Sequence, residues 1–299
     1  MKSLFPLLIL ALIFTGCQKS GNTPEPQTEV KKTEVTFTVA DFAQSVKGFA
    51  AVNTKGTMAV GDTLSNYADN LYYAIYAADG SYVKSATQTK TDANFGRITE
   101  QLAPGTYDVF MTATRNMFGF FAGSNTTYST ASITPPAPNL WLDFFSKNLN
   151  ITVAGTPLTQ SVRLDRAVGA LDVVLTDPMP ASVAKISVTL DKEAADMLIK
   201  TGVAKTYGST TRDFALTAAD AGVANKKFSI LVANTATDVN VTLQAFDAAG
   251  TKLAEKVVTT RINKNQRTTL TGSLIGPAAA SFTVFLNPLW NPSGAVVTF

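Results

Sequence analysis

The chain has 299 residues and is 45% hydrophobic, enough to bury a sizeable core and, by length, two of them. Its 25 basic and 22 acidic residues leave a formal charge of +3, with no basic cluster interleaved with aromatics, so nucleic acid is excluded as a partner. It has no histidine and a single cysteine, which rules out Ser-His-Asp and Cys-His nucleophiles and zinc sites built on imidazole or thiolate.

The amino terminus carries one positive charge at Lys2, then the apolar run Leu4–Phe14, then the small residues Thr15 and Gly16 ahead of Cys17. This is the pattern of a secretory signal peptide. The run is shorter than the roughly 20 residues a membrane-spanning helix needs. Cys17, directly after Gly16, resembles the lipobox of bacterial lipoproteins, although Phe14 stands where Leu is usual. The resemblance implies cleavage between Gly16 and Cys17 and acylation of Cys17, which would place the chain on the cell outer membrane. Residues 17–32 hold Pro24 and Pro26 and no apolar pattern, and read as a lipidated flexible tether.

The folded body begins with alternation. Val35, Phe37 and Val39 share one face of a strand, opposite Glu34, Thr36 and Thr38. Phe49–Val60 is apolar but interrupted by Asn53 and Gly56, and reads as two short strands or a strand and a loop. Leu71, Tyr73 and Ile75 mark the next strand, which turns at Asp79-Gly80 into another. A strand over 94–100 leads through Pro104-Gly105 to Tyr107, Val109 and Met111, again in alternation. Short strands at regular spacing predict an all-β sandwich.

Residues 116–146 break this rhythm with Phe118, Phe120, Phe121, Trp141, Phe144, Phe145 and a proline run at 135–138. Such a segment either covers the end of a sandwich, fills a contact between domains, or offers a platform for stacking sugars. A second unit comes next. Strands are expected at 149–153, through Val162 and Leu164, and over 184–190, 228–233, 239–247 and 252–262. Asp191–Lys200 reads as one short helix, with Asp191 as its cap and Ala195, Leu198 and Ile199 as its buried stripe. Ala248-Ala249-Gly250 echoes Ala77-Ala78-Asp79-Gly80, a weak sign of two related β domains. The carboxy-terminal segment from Ser281 alternates at Phe282, Val284 and Leu286 and closes on Val297 and Phe299, with Pro288 and Pro292 around Trp290. The boundaries expected are a signal peptide over 1–16, the tether over 17–32, β-sandwich domains over 33–155 and 156–280, and a strand appendage over 281–299.

The lipobox cysteine, Leu71-Tyr-Tyr-Ala-Ile-Tyr76 with Asp79-Gly80, and Leu102-Ala-Pro-Gly-Thr-Tyr-Asp-Val109 resemble the first domain of fimbrillins, the lipoprotein subunits of type V pili. Val162-Arg-Leu-Asp-Arg-Ala-Val168 resembles the boundary strand of their second domain, and 241–247 with 265–272 resembles its last strands. The resemblance implies two tandem transthyretin-like β-sandwich domains, no catalytic residues, no cofactor and no metal. It also implies assembly by strand complementation, in which a protease cuts after an arginine and the vacated groove takes a carboxy-terminal strand from the next subunit.

This sequence has no arginine before Arg97; Lys31, Lys32, Lys47 and Lys55 are the lysines around the first strand. The expectation is therefore an anchor-like subunit that keeps Val35, Phe37 and Val39 in its own groove. Phe282, Val284, Leu286, Val297 and Phe299 would contact a neighbouring subunit. The expected partners are other fimbrial subunits, outer-membrane lipid through Cys17, and host or bacterial surface ligands. A polymerising stalk or tip subunit and a surface glycan-binding lipoprotein stay open as alternatives. Asp62-Thr63-Leu64 resembles a bacterial O-glycosylation triplet.

Overall fold

The computed structural model describes residues 31–42, 64–115, 119–123, 125–275, 282–287 and 297–298. Gly16, Cys17, the 49–60 stretch, the 62–64 triplet, Phe118, Trp290 and Phe299 lie wholly or partly outside them. The chain is all-β.

Nine strands form in the first half: β1 (Thr33–Phe42), β2 (Asn70–Ala77), β3 (Tyr82–Thr89), β4 (Arg97–Leu102), β5 (Gly105–Thr114), β6 (Gly119–Phe121), β7 (Ser132–Thr134), β8 (Phe144–Val153) and β9 (Leu158–Arg166). The second half adds β10 (Gly169–Leu175), β11 (Lys185–Leu198), β12 (Ala204–Ala215), β13 (Lys226–Val232), β14 (Val239–Phe246), β15 (Lys252–Thr260), β16 (Arg267–Gly272), β17 (Phe282–Asn287) and β18 (Val297–Thr298).

The first sandwich packs a β3-β2-β5-β8 layer on a β9-β1-β4 layer. Among the described residues the two layers share strand pairing where Phe145 meets Arg166 and Ser146 meets Asp165. Alternation dictates the core: Leu71, Tyr73 and Ile75 from β2 and Val109 and Met111 from β5 face Val35 and Phe37 from β1, Ile98 from β4 and Val162 from β9. The second sandwich repeats the plan. Its β12-β11-β14-β15 strands pack over β13-β10-β16, with Leu171, Val173, Ile186, Val188, Val241, Leu243 and Leu270 in the core.

The repeat is carried by topology. β1 lies parallel to β9 and antiparallel to β4, as β10 lies parallel to β16 and antiparallel to β13. The echo of small-residue turns has a different origin. Gly80 (φ 82°) closes the β2–β3 hairpin, whereas Gly250 (φ 84°) closes β14–β15, a different connection in the plan. Both turns solve one local problem, with glycine at positive φ and an aspartate receiving a backbone N–H: Ser81 N–H to Asp79, and Thr251 N–H to Asp247.

Two sequence expectations meet a different arrangement. Asp191–Lys200 is not a helix; it forms the far half of β11, which pairs with β12 along its length and at Met197–Leu198 also with β7. Local helix propensity there is weak, and strand neighbours on both edges override it. Asp191 caps nothing and instead accepts hydrogen bonds from the backbone and side-chain nitrogens of Asn240, at 2.8 and 2.7 Å. The helical element of the second half is a 3₁₀ turn at Ala218–Asp220. The second point concerns β9, which lies beyond residue 155 yet pairs with β1 along Leu158–Leu164.

The aromatic segment between β5 and β8 crosses from one sandwich to the other. Its strands β6 and β7 extend the β15-β14-β11 sheet. Its side chains build a third core with Ala74, Tyr76 and Phe110 from the outer face of the first sandwich and Ala194, Met197, Ile199 and Ala233 from the second half. Trp141 is 1% exposed, and its indole N–H donates to the Ala194 carbonyl at 2.6 Å. Trp141 and Phe144 are thus packed between the domains and Phe145 in the first core, and none of the three can stack on a sugar.

Candidate subunit interface

β1 is the first strand of the described residues, and it is a central strand of its layer. Leu102 to Arg97 on β4 pair along one edge, and Leu158 to Leu164 on β9 along the other. Val35 and Phe37 are 0% exposed and Val39 is 7% exposed. These side chains fill the slot between β4 and β9, while Lys31 and Lys32 just ahead of them are exposed. Arg97 opens β4, opposite Thr38, so a cut after it would lie beyond the whole of β1.

The carboxy-terminal segment lies on the second sandwich. β17 runs antiparallel to β16 from Arg267/Asn287 to Gly272/Phe282, and Phe282 and Val284 pack half-buried against the second core. Leu286 stands opposite Thr268 and Val297, and β18 covers β17 only at Phe285 and Leu286.

Buried charges are paired both between the layers and within a sheet. Glu100 on β4 points into the first sandwich, accepts the Tyr73 hydroxyl and pairs with Lys84 of β3 at 2.7 Å. Burial, and then the Glu100 carboxylate, push the Tyr73 phenol above its usual range. Arg166 grips Asp143 with two hydrogen bonds of 2.7 and 2.8 Å and lies over the Phe145 ring. Asp172 on β10 is wholly buried. Burial raises its pKa, but hydrogen bonds from Arg267, Lys227 and Ser229 outweigh that and hold it below the usual carboxylate range. These are structural pairs. Among the described residues no cluster of acidic side chains fits a metal ion. A cavity of about 250 Å³ at one end of the second sandwich, lined by Met179, Val183, Leu216 and Ala221 among others, has no charged wall.

Glu193 is the exception, and no pattern in the sequence announces it. It sits where β11 shifts register, 1% exposed, and one carboxylate oxygen accepts the N–H groups of Ala194, Ala233 and Asn234 at 2.7 to 3.0 Å. Burial dominates these donors and pushes its pKa up to about 7. A carboxyl that holds its proton more tightly folded than unfolded stabilises fully below about pH 4.5, and that stabilisation is lost as pH rises through 7. The loss is roughly 3 kcal/mol between pH 5 and 8. With no histidine in the chain, few other groups titrate in that window. Urea unfolding at both pH values should show the loss in the wild type and a nearly flat response in Glu193→Gln; equal slopes in both would refute the assignment.

The family model for fimbrillin-A associated anchor proteins Mfa1 and Mfa2 matches residues 27–284. The chain belongs to this family. The fimbrial anchor protein Mfa2 from Porphyromonas gingivalis is similar in structure, with a TM-score of 0.55 at 10% identity, over 86% of this chain and 98% of that one. A candidate polysaccharide-binding protein from Bacteroides thetaiotaomicron gives 0.56 at 10% identity, over 89% and 98%. A candidate adhesin from Bacteroides ovatus gives 0.53 at 8% identity, over 86% and 93%. At these identities the likenesses establish the fold. A search of curated proteins finds no match. Membership of the Mfa2 family makes the chain a fimbrial subunit associated with the cell surface, a structural protein and not an enzyme.

Proposed function

We propose that this chain is an anchor-like fimbrial subunit, held in the outer membrane by acyl groups on Cys17 and joined to other subunits by strand complementation. The observation that carries this reading is the position of β1: a buried central strand, covalently continuous with the tether that begins at Cys17. A subunit that keeps this strand keeps its lipid. The sequence offers an arginine-specific protease no site ahead of β1. A cut after Lys31 or Lys32 would release the body from lipid without vacating the groove, whereas a cut after Lys47 or Lys55 would detach β1 from the rest of the fold. On this reading Phe282, Val284, Leu286, Val297 and Phe299 form the contact with the neighbouring subunit, by exchange or extension of the sheet that β17 now completes.

Mass spectrometry of surface material is expected to find Cys17 as an acylated first residue followed by an intact β1. Chemical cross-linking in the outer membrane is expected to recover other fimbrial subunits. Loss of residues 17 to about 55 would exclude the anchor role and favour a polymerising stalk or tip subunit. An unmodified Cys17 would remove the lipid-anchored reading.

A further inference from the structure

The edges of the two sandwiches are not equally protected. A bare strand edge invites another strand, and a charge turned inward toward the sheet's buried face blocks that pairing. Five edge strands carry one. Lys84 on β3 stands opposite Ile75, Glu100 on β4 opposite Val35, and Arg212 on β12 opposite Val188. Lys226 on β13 stands opposite Leu175, and Lys256 on β15 opposite Leu243.

β9 departs from this pattern. Past the two pairings that join it to β8, its outer edge over 158–164 meets no strand among the described residues. Over 158–164 its inward register positions are Leu158, Gln160, Val162 and Leu164, with no charge; the inward charge of β9, Arg166, lies at the end paired with β8. Val162 and Leu164 belong to the first core, and Leu158 packs half-buried against it.

The same molecule shows what such an edge takes. β9 is the counterpart of β16, since each lies parallel to the first strand of its sandwich. On β16 the corresponding outer edge is filled by β17, antiparallel over six positions, with the alternating apolar sequence Phe-Thr-Val-Phe-Leu-Asn. We infer that the outer edge of β9 is an acceptor site for a carboxy-terminal strand of the β17 type, alternately apolar, from a second fimbrial subunit. The strand runs antiparallel along Leu158–Leu164. β1 stays in place, so an anchor can receive a neighbour without surrendering the strand that leads to its lipid. This rests on the reading of the chain as a strand-sharing subunit, and it names the place where a strand is received.

The test uses the full mature chain and a synthetic peptide of its own sequence 281–288. Fluorescence anisotropy should show saturable binding of the peptide. Hydrogen exchange should show amides within 158–164 slowed at least tenfold by it. Gln160→Lys reproduces on β9 the inward lysine of β3 and β15; it should weaken peptide binding at least tenfold and leave the melting temperature unchanged. Absence of binding, or equal binding by Gln160→Lys, overturns the site. So does protection of 158–164 in the free chain that vanishes when 43–63 is deleted, because the chain's own segment would then hold the edge. If subunits still cross-link to Gln160→Lys on cells, this edge is wrong while the subunit reading stands; if none cross-link to the wild type, both fall.

Discussion

Deletion of residues 33–42 is expected to abolish folding of the first sandwich at ordinary temperature. Val35, Phe37 and Val39 are buried between two strands that touch each other only through β1. At about 2 kcal/mol for each buried apolar side chain, their loss alone removes roughly 6 kcal/mol. That is comparable with the whole stability of a typical domain, about 5–15 kcal/mol. Two further edges, on β4 and β9, would be left without partners, so the deleted protein should aggregate as well as unfold. Hydrogen exchange should show β4 and β9 amides unprotected while β10 and β14 keep part of their protection. A tenfold excess of a peptide spanning 33–42 should restore protection by mass action. Phe37→Ala is the milder companion, with an expected cost of about 3–5 kcal/mol. A deletion variant that melts within two or three degrees of the wild type would show that β1 is dispensable, and would remove the physical basis for keeping lipid and body together.

The same strand shows what the sequence makes legible. Period-two alternation at Val35, Phe37 and Val39, and at Leu71, Tyr73 and Ile75, marks strands with one buried face, and those faces are buried in the first core. What alternation does not show is a second buried face. Ala74, Tyr76 and Phe110 are as buried as their neighbours, because the other side of that sheet is covered by the segment before β8. Partnership is likewise invisible in a single sequence. β9 reads as part of a second domain because 162–168 resembles the boundary strand of one, yet β9 pairs back with β1. Asp191–Lys200 reads as a helix because local composition permits one, and nothing local announces β7 and β12 on its flanks. Glu193 has no sequence signal at all. Its burial results from a register shift in β11, which turns a charged side chain toward three backbone N–H groups. The unpaired edge of β9 depends on which strands lie beside it, and a single sequence carries no sign of that.

Trp141→Ala should separate the two sandwiches energetically. Trp141 packs against Phe144 with ring centroids 5.4 Å apart and belongs to the core shared with Met197 and Ile199 of β11 and its end. Removing an indole from such a site costs about 3–5 kcal/mol in lost contacts and residual cavity. It also leaves the Ala194 carbonyl without its donor. The loss falls on the junction and leaves the cores of both sandwiches intact, so one cooperative transition should become two, separated by calorimetry or by exchange in β5 against β14. Ile186→Ala, in the middle of the second core, serves as the comparison: it should cost about 2–5 kcal/mol without dividing the transition in this way. On the proposed anchor reading, force that reaches the carboxy-terminal strands of the second sandwich has to pass to β1 in the first. The strands β6 and β7, carried across from the first half into the second sheet, together with the Trp141 core, are the path by which this chain would do so. A single transition shifted by less than about 1 kcal/mol in Trp141→Ala would assign that coupling to the strand pairing alone.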